Sequence, residues 1–510
     1  MSDQRHPSLP PNATKASEAL LWLSIAIVAW LAFSYHRQLC FFPYQLGPSE
    51  AGMLTSALAL QRGWDPWSTA LAPQYCNLYG IGLPWLTVQV GRLAPGTDLM
   101  LLMRLITAGS LWFVLGLFYL TLRDAKAGAL VAAATCLAVY CSLLYFDTQA
   151  ARPDGLVLAL FYLSVIWSRR PGMGNAVFAG ALPALAFFVK PTGLIALGLV
   201  GALNAAQGRW RDALAAALAG MLSGALLMAL ILWRYPQYLL GTITHHLHAQ
   251  THVWIWMLKQ WLDLAQIHAP WILALTLVLA LALRGKRALF PAGAWRPWAL
   301  AAVLVLLILV AGPGGNLGAY LTYYNQILLP FLFLAGALWL LAQGLSVRWL
   351  ALVLLLDSAS ALYFDIRSFP PNTAAQTQAW AQADDWVAKH PDSVLPPMFT
   401  SIAVKHGAFI TDTDHTHGLL VCTWNGQTQL KDAYIEHMGR IDQRLQKGEF
   451  QGLVCGGNWP CPNPKDMVRY GYKEVEPFFL RSPLTTGTLR LTVYERDLSK
   501  RPAKSPKERS

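Results

Sequence analysis

The chain has 510 residues, of which 55% are hydrophobic and 13% charged, whereas a soluble domain carries roughly 25% charged residues. That composition excludes a string of ordinary soluble domains, because the apolar residues gather in stretches near the ~20 residues a helix needs to cross ~30 Å of hydrocarbon. The formal net charge of +12 does not imply nucleic acid, since its basic residues lie largely in short loops between apolar stretches and in the tail from Lys500 to Ser510.

In chain order the apolar stretches run Ala19 to Tyr35, Leu99 to Leu122, Ala127 to Phe146, Gly155 to Trp167, Asn175 to Val189, Thr192 to Ala206, Ala213 to Trp233, Ala269 to Leu283, Trp298 to Ala311, Tyr320 to Leu341 and Trp349 to Phe364. They predict a mainly α membrane protein with about eleven transmembrane helices, the shorter ones borrowing flanking residues or sitting in thinned membrane. Cytoplasmic loops retain Lys and Arg. Here one set of loops holds Arg123 with Lys126, Arg169 with Arg170, Arg209 with Arg211, then Arg284, Lys286, Arg287 and Arg296, and finally Arg348. That set, with the amino terminus, is expected to be cytoplasmic. The first span is preceded by a short basic-and-polar segment, lacks a small-residue cleavage site and reads as a retained signal anchor. An odd span count then leaves 37–98, 234–268 and everything from Asp365 onward on the exoplasmic side. The expected division is a transmembrane domain over 1–364, an exoplasmic α/β domain over 365–499 and a basic disordered tail over 500–510.

The first exoplasmic loop, at about sixty residues, is too long for a plain connector. Its first half, Gly47-Pro48-Ser49-Glu50 followed by Ala51 to Leu60, reads as a turn, a Ser cap and an amphipathic helix along the membrane surface that stops at Gly63. Pro73 to Leu86 reads as a second interfacial or re-entrant stretch. Glu50 at the helix start has one undemanding role, complementing the helix dipole, and one chemical role: a carboxylate whose pKa is raised by desolvation can act as a general base.

The order of these features resembles the GT-C superfamily of membrane glycosyltransferases, in particular the bacterial aminoarabinose transferases that modify lipid A and the protein O-mannosyltransferases. In that family the loop opens on an Asp-Glu or single acidic motif, and here Ser49-Glu50 supplies one carboxylate. The resemblance covers about the first 345 residues. It implies transfer of a sugar from a polyprenyl-phosphate donor to an exoplasmic lipid, glycan or protein, with Glu50 catalytic. It also implies that an Asp between the third and fourth spans faces Glu50. Ala151-Arg152-Pro153-Asp154 is the best match, with Asp147 the alternative.

Charged groups at the membrane edge are costly unless paired or used, so the cluster Asp147, Arg152 and Asp154 is either a site or a helix-capping ion pair. Lys190, where the fifth span returns to the exoplasmic side, is placed to meet a lipid-linked phosphate, as are Arg152 and Arg234, with Arg104 a further cation on that face; each has snorkelling to lipid headgroups as its ordinary role. His245, His248 and His252 fall near one helical face without a Cys or carboxylate fourth ligand, so an interfacial structural role is their ordinary reading, ahead of donor or acceptor contact by His248 and of zinc binding. After the Gly-rich segment Gly312 to Gly318, the tyrosines Tyr320, Tyr323 and Tyr324 lead into a span with Pro330. They read as substrate-lining residues by the resemblance or as an aromatic belt. A divalent metal is possible but not indicated, and the remaining partners are membrane lipids.

From Asp365 the charges return. Thr373 to His390 and Thr428 to Lys447 read as helices, Ser393 to Phe399 and Gly407 to Asp412 as short strands or turns, and Leu453 to Cys455 and Leu489 to Glu495 as strands. Asp412, Asp414, His415 and His417 read as a solvated turn. Five cysteines fall on the exoplasmic side, where disulfides survive in a periplasm or reticulum lumen. Cys40 with Cys76 and Cys455 with Cys461 are the candidate pairs, and Cys422 is left over. The expected location is a bacterial inner membrane with the carboxyl-terminal domain in the periplasm. Against a glycosyltransferase stand a transporter or flippase, for which no internal repeat is found, and a noncatalytic scaffold.

Overall fold

The computed structural model describes residues 11–497 and 499, except 48, 72–73, 76–78, 145–149, 245–252, 286–287, 316–320, 371–372, 413–428, 457–460 and 482–487. Its first helices are α1 (Pro11–Cys40), α2 (Ser49–Gln61), α3 (Gly82–Leu93), α4 (Leu99–Asp124), α5 (Ala129–Leu143), α6 (Asp154–Trp167) and α7 (Met173–Val189). There follow α8 (Ile195–Ala206), α9 (Trp210–Arg234), α10 (Trp254–Ile267), α11 (Ala269–Arg284), α12 (Arg296–Ala311), α13 (Leu329–Ala342) and α14 (Val347–Ser368). Every apolar stretch picked out by hydropathy has a helix in its place. Among the described residues 5 helices are long and apolar enough to cross a membrane, or 6 if α10 and α11, bent by 85° at their junction, form one span. Five more are apolar but shorter: α5, α6, α7, the 191–206 segment ending in α8, and α12.

Local chemistry sets the ends. Asp98 caps α4 by accepting the Leu101 N–H at 2.9 Å, and prolines occupy the first turns of α11, α12 and α13, where their missing N–H has no helical partner to lose. Gly63, at φ +76°, takes the left-handed conformation just past α2. Small residues bring α7 and α9 together, since a Cβ at Gly180 would lie 2.1 Å from the Ala216 carbonyl oxygen. The opposite face of α9 exposes Leu218, Leu222, Leu226 and Leu230 at four-residue spacing, the surface a lipid-facing helix presents. The core centres on α5, almost every residue of which is buried.

The carboxyl-terminal region holds α15 (Ala374–Lys389), α16 (Thr400–His406), α17 (Gln429–Gln446) and α18 (Pro464–Arg469) with β1 (Ser393–Val394), β2 (Gly452–Gly456), β3 (Tyr472–Leu480) and β4 (Leu489–Arg496). The strands form one sheet in the order β1-β2-β4-β3, parallel between β1 and β2 and antiparallel elsewhere. Both expected helices and both expected strands are present, and Thr373 with Gln376 closes a capping box on α15. The strand β3 was not expected: its register shifts between Val475 and Phe478, where Pro477 interrupts the alternation that a strand otherwise shows.

The domain is seated on the first loop. Tyr44 stacks on Trp380 with ring centroids 5.4 Å apart, Gln45 Nε2 donates to the Pro397 carbonyl at 3.3 Å, and Gln74 Nε2 donates to the Ile410 carbonyl at 2.6 Å. That seating corrects one expectation: α2 is not an amphipathic surface helix. Ala51, Met53, Leu54 and Ala57 are all buried, and Met53, Leu54 and Ala57 pack with Leu83, Met100 and Met103. A second correction concerns the cysteines. The Cys455–Cys461 disulfide is formed, whereas Cys40 is a buried free thiol at the end of α1; Cys76 and Cys422 lie outside the described residues.

Candidate functional site

Glu50, in the first turn of α2, is fully buried. Arg104 of α4 grips it with both ends of its fork, Nε to Oε1 at 2.9 Å and Nη2 to Oε2 at 2.6 Å. The Leu46 N–H donates to Oε2 and the Ala151 N–H to Oε1, each at 2.6 Å. Four hydrogen bonds therefore fill the lone pairs of this carboxylate. Arg104 also donates to the Phe42 and Tyr44 carbonyls at 2.6 and 2.7 Å. The pair thus knots three pieces of chain, the 42–46 turn, the start of α2 and the 150–152 segment, and leaves the carboxylate no free edge for an incoming hydroxyl.

Three residues beyond Ala151 the chemistry changes. Asp154, at the start of α6, is buried, and its Oδ1 accepts from Lys190 Nζ at 2.7 Å. Its Oδ2 faces Arg152 Nε at 3.5 Å, and Gln326 adds a hydrogen-bonding partner. Lys190 caps the end of α7 and lies 5.6 Å from the Tyr79 ring centroid and 5.2 Å from that of Tyr323. Arg152 Nη2 donates to Tyr79 Oη at 2.6 Å. Among the described residues two cations, Arg152 and Lys190, face the one carboxylate of Asp154 in a site walled by Tyr79 and Tyr323. Desolvated cations grouped in this way favour an anion.

Close backbone contacts assemble the pocket. A Cβ on Gly80 would stand 1.9 Å from the Phe188 carbonyl oxygen, and one on Gly82 2.5 Å from Val189 Cγ2, so only glycine lets the 79–82 segment cross the end of α7 and set Tyr79 beside Lys190. A Cβ on Gly155 would likewise stand 2.7 Å from the Thr107 carbonyl oxygen, while Thr107 Oγ1 donates to the Arg152 carbonyl at 3.0 Å. Gln326 comes from a single π turn, Tyr324–Leu328, a feature frequent at functional sites.

The structure therefore brings Asp154, Lys190, Arg152 and Tyr323 together and places Glu50 one peptide away, held by Arg104. Arg234 is elsewhere: its Nη2 donates to the Gly63 carbonyl at 3.0 Å and its guanidinium lies over Tyr235. Tyr324 is buried, with its hydroxyl 3.5 Å from the Gly314 carbonyl oxygen. Asp147, Tyr320, His245, His248 and His252 lie outside the described residues, as do Asp414, His415 and His417. Tyr79 was missed by sequence reasoning, although two glycines flanking Ile81 in an aromatic-rich stretch were its signal. Among the described residues no group of three His, Cys, Asp or Glu is placed to hold a metal ion.

No family model matches the chain, and no curated protein matches it in sequence. Its fold nevertheless matches solved structures over nearly its whole length. ArnT from Cupriavidus metallidurans bound to undecaprenyl phosphate superposes with a TM-score of 0.60 and 14% identity, covering 96% of this chain and 99% of that one. The apo state of the same protein gives 0.56 and 15%, covering 94% and 98%.

Proposed function

We propose that the protein, whose fold matches that of ArnT over nearly its whole length, is a GT-C-type glycosyltransferase moving a sugar from a polyprenyl-phosphate carrier to an exoplasmic acceptor. The observation that carries this reading is the buried Arg152–Asp154–Lys190 cluster, which brings two cations together at one carboxylate, in a fold shared with a protein solved with undecaprenyl phosphate bound. Lys190 and Arg152 hold the donor phosphate, with Tyr79 and Tyr323 as walls. The acceptor oxygen bonds to the anomeric carbon as the bond from that carbon to the phosphate oxygen breaks, and the polyprenyl phosphate leaves with its negative charge stabilised by the two cations.

A base must take the acceptor's proton. Asp154 suits this better than Glu50, because phosphate arriving at Lys190 and Arg152 draws both cations off Asp154 and frees its oxygens, whereas Glu50 stays saturated by Arg104 and two backbone N–H groups. Glu50 is then the knot that holds the loop against the site. The same reading includes eleven spans with a cytoplasmic amino terminus in a bacterial inner membrane. The site and the carboxyl-terminal domain then share the exoplasmic face, consistent with the Cys455–Cys461 disulfide.

The test uses the full chain in nanodiscs. Lys190→Gln is expected to lose undecaprenyl-phosphate binding at least about tenfold, the scale of one charge-assisted contact. Asp154→Asn is expected to keep that binding and to lose transfer by roughly 10²–10⁴, the usual contribution of a general base. Unimpaired lipid binding in the first variant would overturn the phosphate assignment, and unimpaired transfer in the second the base. Glycolipids and glycoproteins compared by mass spectrometry in cells with and without the gene supply the acceptor. Identical profiles, with altered lipid reorientation, would replace the transferase by a flippase.

A further inference from the structure

At the other end of α6 lies a second basic site. Arg169 follows that helix, 15 residues after Asp154, which at 1.5 Å per residue puts it about 22 Å from the catalytic cluster. Its guanidinium lies over the Trp298 ring, 4.7 Å from the centroid. Trp298 is fully buried and stacks with Phe331 at an interplanar angle of 17°. Arg169 is therefore set on a rigid aromatic base at the start of α12. Among the described residues the Arg169 side chain makes no hydrogen bond or ion pair, and the Trp298 Nε1–H, buried with its ring, has no acceptor.

Arg209 joins them. Its Nη2 donates to the Ser168 carbonyl at 2.9 Å and its Nη1 approaches the Arg169 carbonyl at 3.4 Å, while its buried Nε is left without an acceptor. Arg170, exposed, covers Trp167 at 4.1 Å. Among the described residues two acids act on this cluster: Asp212, which lies 3.9 Å from Arg209 and accepts the Gly172 N–H, and Asp124, felt by Arg169 across space. Burial pushes the Arg169 guanidinium below its ordinary pKa and Asp124 pulls it back, the behaviour of a cation lacking a full counter-charge. Arginines that merely snorkel leave their donors in water, whereas here buried donors of two residue types, an indole N–H and a guanidinium Nε, are without acceptors. A buried donor without an acceptor keeps its full desolvation penalty.

We propose that this pocket binds a phosphate group, that of an anionic phospholipid in the leaflet opposite the catalytic cluster, with Arg169, Arg209 and the Trp298 N–H as donors. Basic pockets between membrane helices suit such headgroups. The site takes no part in the transfer chemistry and stands independently of it.

The test is native mass spectrometry of the full chain released from nanodiscs containing phosphatidylglycerol or phosphatidylcholine. The wild type is expected to retain one phosphatidylglycerol under activation that strips phosphatidylcholine. Arg169→Gln is expected to cut that retention about tenfold, and Trp298→Phe, which keeps an aromatic base but removes the N–H, several-fold. Arg348→Gln, on another helix, controls for surface charge, and an unchanged unfolding midpoint controls for folding. Equal retention of both lipids, or retention untouched in both Arg169→Gln and Trp298→Phe, would overturn the proposal. Displacement of the lipid by millimolar inorganic phosphate would identify free phosphate as the ligand and overturn the lipid assignment.

Discussion

Replacing Arg104 by Ala removes the partner of a carboxylate that has no contact with water. Glu50 would keep only the Leu46 and Ala151 N–H groups, and the Phe42 and Tyr44 carbonyls would lose their donor. Breaking a buried pair from one side costs about 3–5 kcal/mol, because an uncompensated charge is left behind. Glu50→Gln leaves the opposite charge stranded and belongs in the same range, while the double variant Glu50→Gln/Arg104→Met strands neither. The double variant should therefore lose less than the sum of the singles by at least about 1 kcal/mol, a coupling expected of groups in one network. Unfolding in mixed micelles followed by tryptophan fluorescence, with limited proteolysis of the first loop, measures all three. An Arg104→Ala cost below about 1 kcal/mol, or strict additivity, would refute the knot. Activity separates the knot from a base: per folded molecule, Glu50→Gln should stay within about tenfold of wild type, whereas removal of a base costs roughly 10²–10⁴. A loss of the latter size at unchanged stability would return the base to Glu50.

Two further outcomes follow from the loop geometry. Gly80→Ala forces a Cβ against the Phe188 carbonyl, displaces Tyr79 from Lys190 and Arg152, and should weaken undecaprenyl-phosphate binding in the nanodisc assay; unchanged binding would remove Tyr79 from the site. Asp65 has its carboxyl pKa raised by burial, against the lowering effects of the Trp67 N–H and Arg234. A raised carboxyl pKa stabilises the fold below the unfolded value and loses that contribution as pH rises through the folded one. Hydrogen exchange across 62–71 should accordingly quicken as pH passes above the ordinary Asp range, after correction for intrinsic exchange, and Asp65→Asn should remove that dependence. A pH profile identical in the variant would show that burial of Asp65 does not matter.

Much of the architecture was legible because lipid imposes a local rule. A spanning helix must satisfy its own backbone and present apolar side chains, so each span announces itself within its own twenty or so residues. The helices α15 and α17 were legible for a similar reason, their periodicity lying within their own residues. β3 was not, because its pairing with β4 tolerates Pro477 at an irregularity that no local alternation reveals.

The candidate site divides along the same line. Glu50, Asp154 and Lys190 stood out in the sequence because an apolar background makes any ionised group conspicuous. Their partners came from the packing of the folded chain: Glu50 with Arg104, 54 positions away, and Asp154 with Lys190, 36 positions away. Ion pairing depends on a few ångströms between side chains of separate helices. Those distances are set by where glycine lets backbones touch, as at Gly80 and Gly155, and by helix packing that no single segment encodes.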